Sequence, residues 1–187
     1  MSDSRFNPNL VLKDFAERVE RLGIAYMLTG SMAMIRYAMP RFTMDIDIVI
    51  ELERMKQAAF IKAFEPDYYV PHQGVSCAVS QKRMFNIIHQ ASSFKIDCIV
   101  LKDGAFQRLA FQNRQQVEYK GFNVWTIAAD DLVISKLLWA KDSHSEQQLR
   151  DVQNLLREHC NLEYITSWTQ KLGIENLFQL CLDAIKK

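Results

Sequence analysis

Residues 41–50 read RFTMDIDIVI. Residues 42–51 alternate and are rich in strand-forming types, which predicts a β-strand. Side chains alternate across a strand, so Asp45, Asp47 and Val49 share one face and Ile46, Ile48 and Ile50 share the other. The isoleucine face belongs to a core. Both carboxylates therefore project together, with α-carbons roughly 6–7 Å apart from the strand rise. Two neighbouring carboxylates repel, and one tends to keep a proton. A divalent cation removes that penalty. Mg²⁺ prefers hard oxygen ligands and commonly takes one or two carboxylates together with phosphate oxygens.

A third acid has similar surroundings. Residues 94–101 read FKIDCIVL, which places Asp97 inside another apolar strand, on the same face as Lys95 and Ile99. If the two strands lie side by side, Asp97 completes a three-carboxylate metal site. Upstream, Gly30-Ser31 falls between a short apolar run, residues 25–29, and a helical segment, residues 32–39. A glycine lets a ligand approach the backbone, and free N–H groups at a helix start favour phosphate. The expectation is a nucleoside triphosphate held by Gly30-Ser31, with Mg²⁺ (or Mn²⁺) joining it to Asp45, Asp47 and Asp97.

Reading outward, residues 9–22 have helical periodicity, stopped by Gly23. Pro40 ends the segment after Gly30-Ser31. Helices are expected over residues 53–64, 73–82 and 105–114, with a brief strand at 68–70. Residues 84–89 and 94–101 form paired strands around a polar turn, and strand pieces follow at 117–120 and 123–127. Everything later is helical: 130–140, 145–159, 162–171 and 174–186. Mixed α and β first, helices last, is an α/β pattern with a helical tail. The division expected is 1–127 for the α/β core and 128–187 for the helical part.

Composition narrows the function classes. The 187 residues carry a net charge of +1, so no global field recruits nucleic acid or an anionic membrane. No apolar run approaches the roughly 20 residues that cross a bilayer, and the first residues lack a signal-peptide pattern. A cytoplasmic location is expected. The four cysteines, Cys77, Cys98, Cys160 and Cys181, have no zinc spacing and read as reduced, mostly buried thiols. Walker A and GxGxxG patterns are absent.

Taken together, Gly30-Ser31, then Arg41-Phe42-Thr43-Met44-Asp45-Ile46-Asp47, then Asp97 within FKIDCIV resemble the nucleotidyltransferase superfamily, which has a polymerase-beta-like palm. The R-x-T-x-D-x-D form is similar to minimal nucleotidyltransferases grouped with abortive-infection and toxin–antitoxin toxins. One uncharacterised branch is closer still. Its segments match Phe85-Asn86-Ile87-Ile88-His89, then Asp130-Asp131-Leu132 with Lys136 and Trp139, then Ser145, Gln148, Asp151 and Val152. Gln147-Gln148 stands where toxin-type relatives carry a basic–acidic pair.

The resemblance implies an α/β, mixed-sheet nucleotidyltransferase core flanked by helices, with an all-helical C-terminal part. It implies transfer of a nucleoside monophosphate from an NTP to an acceptor hydroxyl, with pyrophosphate released. Asp45, Asp47 and Asp97 are then the metal ligands, and Asp97 also takes part in deprotonating the acceptor. Gly30 and Ser31 hold the triphosphate. The acceptor is a small molecule, an RNA end or a protein side chain. The alternative is a nucleotide- or metal-binding regulator, or an interaction protein of the toxin–antitoxin type, without turnover.

Two cations are candidates for the triphosphate. Lys136 lies at the edge of a stripe formed by Ile134, Leu137, Leu138 and the stem of Lys141; the competing reading is a solvated lysine. Arg41 either neutralises phosphate or pairs with an acid such as Asp45. Trp139 can stack a base, although tryptophan at helical spacing is more often core. Asp130-Asp131 reads as a helix start that favours the dipole. His89 reads as structural, and His72, His144 and His159 show no metal spacing. Met27, Met32, Met34, Met39 and Met44 read as packing around the site.

Overall fold

A computed structural model describes residues 7–34, 36–37, 45–158 and 160–186. Its first helix, α1 (Pro8–Arg21), begins with Asn7, whose side chain accepts the Asn9 N–H, and ends before Gly23 at φ +59°. Strand β1 (Tyr26–Thr29) leads into a five-residue helix, α2 (Gly30–Met34). That helix is shorter at its described end than the 32–39 expectation, and it starts two residues earlier. Met39, Pro40, Arg41, Phe42, Thr43, Met44 and His159 lie outside the described residues. Strand β2 (Asp45–Ile50) follows, then a 3-10 turn (Arg54–Lys56), α3 (Gln57–Phe64), β3 (Tyr68–Tyr69) and α4 (His72–Gln81). Next come β4 (Met84–His89), β5 (Lys95–Val100), α5 (Ala105–Gln112), β6 (Gln115–Tyr119) and β7 (Phe122–Thr126). Four helices close the chain: α6 (Ala129–Ser143), α7 (Glu146–Leu156), α8 (Leu162–Leu172) and α9 (Glu175–Ile185).

The strands form one mixed sheet in the order β3-β4-β5-β2-β1-β7-β6. β2 runs parallel to β5 and antiparallel to β1; β1 runs parallel to β7. β4 is antiparallel to both β5 and β3, and β6 is antiparallel to β7. This is the α/β mixed sheet with a helical C-terminal part that the sequence led us to expect.

Alternation decides which sheet face is packed. Ile46, Ile48 and Ile50 are fully buried, as are Ile87, Ile96 and Cys98 on the neighbouring strands. They meet Phe15 of α1 and Phe60 and Phe64 of α3, whose rings form a continuous edge-to-face and tilted cluster with Tyr26, Tyr68 and Phe85. Such aromatic pairs add roughly 0.5–1.5 kcal/mol each beyond area burial. The other face carries Asp45, Asp47 and Asp97. It is left more open on the β4–β5 side, where Met84 and Ile88 are exposed. Of the site methionines, Met27, Met32 and Met34 are buried packing, as expected. Among the described residues, no helix is long and apolar enough to cross a membrane. The four cysteines are free thiols; Cys98 and Cys181 are buried, Cys160 is half-buried, and Cys77 is exposed, against the expectation for most of them.

Candidate active site

Register brings the acids together. Along the parallel β2–β5 ladder Asp47 stands beside Asp97, and Asp45 beside Lys95. On the flanking strands Thr29 pairs with Asp47 and Asn86 with Asp97. Paired residues point to the same face, so Thr29, Asp47, Asp97 and Asn86 form one row across four strands. Adjacent strands lie about 4.8 Å apart, so the Asp47 and Asp97 side chains are direct neighbours. Asn86 supports the row: its amide, oriented to donate, lies 3.1 Å from Asp97 Oδ1.

Asp47 bears the electrostatic load. Burial, followed by the charges of Asp97 and Asp45, pushes its pKa up from 3.8 to about 6, against the pull of Lys136 and the Ser31 backbone N–H. Gly30 explains how that N–H reaches the acid. It sits at φ +64°, and a β-carbon built on it would meet Asp47 Oδ2 at 2.0 Å and Cγ at 2.6 Å. A side chain at residue 30 therefore collides with the carboxylate and also costs left-handed strain. The Gly30-Ser31 pair is thus in contact with the acid row.

Lys95 lies between the two strands' acids. Its Nζ stands 3.1 Å from Asp97 Oδ2 and 3.5 Å from Asp45 Oδ1. Partial burial draws its pKa down, but the hydrogen bonds and charges of Asp97 and Asp45 outweigh that and raise it. Among the described residues, no three acidic, histidine or cysteine side chains stand close enough to share one ion. As they stand, Asp45 and Asp97 share an ammonium instead. Hard oxygens on adjacent ladder positions remain a suitable donor set for Mg²⁺, and the pKa of Asp47 is raised by burial first and by the charges of Asp97 and Asp45 next.

Lys136 is not a solvated lysine. Its side chain is 3% exposed, and Nζ donates to Asp151 Oδ2 at 2.7 Å and Gln148 Oε1 at 3.0 Å. Gln147 Nε2 donates to the other Asp151 oxygen at 3.0 Å. Gln147-Gln148, which stand in place of a charged pair, therefore clamp a buried ion pair between α6 and α7. The buried face of α6 also differs from the expected stripe. It runs through Val133, Ile134, Lys136, Leu137 and Ala140, while Leu138 is half-buried and Lys141 is exposed. Lys141 reaches carbonyl oxygens of Leu172 and Gly173 instead. Trp139 is 51% exposed, which corrects the core reading: it falls outside the buried face of α6, which holds Lys136, Leu137 and Ala140 around it.

The remaining candidates resolve structurally. Asp130 and Asp131 occupy the first turn of α6, as expected. Asp131 is also buried, accepting from Tyr164 Oη at 2.7 Å and Asn113 Nδ2 at 3.2 Å. His89 pairs with Ser92 Oγ at 2.7 Å, a turn contact. An open groove of about 450 Å³ lies at the opposite end of β2 and β5, lined by Glu51, Arg54, Lys82 and Arg108 among others. Arg108 there is engaged by Glu51 and Asp103, and none of Asp45, Asp47 or Asp97 lines the groove.

Sequence reasoning assigned no role to Lys95 or Asn86. Their signal was present: Lys95 shares a face with Asp97, and Asn86 lies in the quoted FNIIH segment. Only register gives each its partner.

Comparisons with known proteins bear on the family and the fold. Residues 9–176 match the family described as nucleotidyltransferase of unknown function (DUF6036). The chain belongs to that family. No curated protein matches it. An antigenic nucleotidyltransferase-like protein from Paracoccidioides brasiliensis superposes with a TM-score of 0.52 at 16% identity, covering 79% of this chain and 72% of that one. The lincosamide antibiotic adenylyltransferase LnuA, bound to lincomycin, gives 0.50 at 17% identity over 77% of this chain and 93% of its own. A nucleotidyltransferase from Thermotoga maritima, itself assigned only provisionally, gives 0.51 at 12% identity over 76% and 91%. At these identities the likeness shows the fold.

Proposed function

We propose that the chain is a Mg²⁺-dependent nucleotidyltransferase that moves a nucleoside monophosphate from an NTP to an acceptor hydroxyl. The observation that carries this reading is the ladder register of Asp47 with Asp97, with Asp45 two residues along the same face. Family membership supports it. Asp45, Asp47 and Asp97 would hold the metal. When bound, the ion neutralises their charge and that of the triphosphate, and so lowers the cost of charge build-up on the leaving pyrophosphate.

The chain's own residues then position and neutralise, which is most of what phosphoryl-type transfer requires. Gly30 and Ser31 meet the triphosphate where their backbone already meets Asp47. Lys136, held by Asp151 and Gln148, supplies a fixed positive charge beside Asp47. Arg41, two residues before Thr43 on the approach to β2, is the second cation assigned to the phosphates. The acceptor oxygen forms a bond to the α-phosphorus, and the bond from that phosphorus to the pyrophosphate oxygen breaks. The hydroxyl proton passes to the Asp97 carboxylate. The acceptor is a small molecule, an RNA end or a protein side chain.

The test has two stages. Thermal shift against the four NTPs, with and without Mg²⁺, identifies the base, because a ligand of the folded state raises apparent stability. Pyrophosphate release and transfer of an α-labelled phosphate are then followed for the wild type and for Asp45→Ala and Asp47→Ala. The expected result is Mg²⁺-dependent transfer that both substitutions abolish. Nucleotide that binds but never turns over across small-molecule, RNA and protein acceptors would refute the enzyme.

A further inference from the structure

The face that carries the acid row continues past Asp97 to the edge of the sheet. Strand β4 presents Met84, Asn86 and Ile88 on that face, because Asn86 pairs with Asp97 and Ile88 with Lys95. Tyr69 of β3 pairs in turn with Ile88 and ends the row. These side chains are open to solvent: Tyr69 is 60% exposed, Met84 45% and Ile88 38%. Exposed Leu10, Trp139, Leu162 and Leu180 stand on four different helices, as single surface hydrophobics commonly do. Only on β3 and β4 does exposed apolar surface adjoin a carboxylate row among the described residues. We propose that Tyr69 and Ile88, with Met84, seat the acceptor, and that the acceptor is a small hydroxylated molecule with a flat apolar body.

This rests on the nucleotidyltransferase reading and names its acceptor class. The acid row has two flanks. On one, Gly30 of α2 touches Asp47 and the charge of Lys136 acts on it, which leaves that side to the triphosphate. The other flank is β4 and β3, beyond Asp97. An acceptor whose oxygen bonds to the α-phosphorus, whose proton goes to Asp97 and which displaces pyrophosphate enters from there. Tyr69 stands two strands and two residues from Asp97, about 12 Å between α-carbons, roughly the length of two or three joined rings. Charge sorts the acceptor classes. The side chains that β3 and β4 present on this face are Tyr69, Met84, Asn86 and Ile88, and none is charged. Lys95, the next side chain in the Tyr69 row, is held by Asp97 at 3.1 Å and Asp45 at 3.5 Å. An RNA end needs cations along its phosphates, and here it would meet carboxylates. A folded protein needs about 800 Å² on each side of a stable contact, more than three side chains offer. A flat ring needs only an aromatic face and an aliphatic floor, which Tyr69 and Ile88 supply.

Saturation-transfer NMR on the full-length protein tests this without turnover. The probes are methyl β-glucoside and 4-methylumbelliferyl β-glucoside, which carry the same sugar hydroxyls and differ in the flat ring. Each is added with and without Mg²⁺ and the triphosphate that the thermal-shift screen selects. Saturation is expected to reach the coumarin ring and to be absent from the methyl glucoside. Tyr69→Ser and Ile88→Ser should each weaken that binding about tenfold, while Tyr69→Phe, which keeps the ring, and Leu162→Ser, on α8, leave it unchanged. Equal signals from the two glucosides, or binding that survives both serine variants, overturns the assignment. So does transfer of α-labelled phosphate to a single-stranded RNA or to casein that Tyr69→Ser abolishes, which makes the face a macromolecular site. A dimer in sedimentation that Tyr69→Ser dissociates also overturns it, as a contact between copies. In each of these cases a Mg²⁺-dependent nucleotide thermal shift, which Tyr69→Ser should not alter, leaves the nucleotidyltransferase reading intact. No such shift in the wild type overturns both.

Discussion

Asparagine at position 47 is expected to strengthen the metal-free fold while removing its chemistry. Asp47 is raised from 3.8 to about 6, by burial first and by Asp97 and Asp45 next. Between those two values the folded chain binds its proton better than the unfolded chain does. Stability is therefore lost as pH rises through about 6, and the penalty is full above it. Roughly two pKa units at 1.36 kcal/mol each put the cost near 3 kcal/mol at about pH 8. Asparagine removes the charge and keeps an oxygen for the Ser31 N–H, while its amide can donate toward Asp97. Allowing for relaxation, Asp47→Asn should gain about 1–3 kcal/mol at about pH 8, and about half of that at about pH 5. Each kcal/mol is worth roughly 2–4 °C in a chain of this size. Urea or thermal unfolding at both pH values, in EDTA, measures the difference. A gain that is equal at the two pH values, or a loss at pH 8 without metal, would refute the account of Asp47 as a buried, repelled carboxylate.

Other substitutions probe the parts around it. Lys136→Met should cost about 3–5 kcal/mol by urea unfolding, because it buries the Asp151 charge without its lysine, and adding Asp151→Leu should restore most of the loss. Gly30→Ala forces a β-carbon onto the Asp47 carboxylate in a left-handed backbone; stability should fall by about 1–2 kcal/mol or more, and nucleotide-dependent thermal shift should disappear. Tyr164→Phe removes one of two donors to buried Asp131, and chemical denaturation should register a loss of about 1–3 kcal/mol.

Much of this was legible in the chain because strand and helix periods are local. The alternation at residues 45–50 assigns each side chain to a face without knowledge of any neighbour, and the buried isoleucines agree with it. Apolar runs, Gly23 and the polar turn after His89 likewise place most elements within a few residues. The C-terminal helices followed from spacing alone. Lys136 shows where that stops. Helical spacing marks a lysine near an apolar stripe, but its fate depends on an acid fifteen residues later, on a different helix. Trp139 failed for the same reason: spacing says which side of α6 it occupies, not what covers that side.

The sequence by itself determined that three aspartates sit in apolar strands, that two of them share a face, and that a glycine precedes a short helix beside them. Tertiary structure alone decided that β2 and β5 run parallel and in which register. A shift of one residue would have exchanged every face. In the register found, Asp47 meets Asp97, and Lys95 meets Asp45. Register is set by the packing of the whole sheet against α1, α3 and the later helices, a sum of distant contacts that no local pattern in the chain encodes.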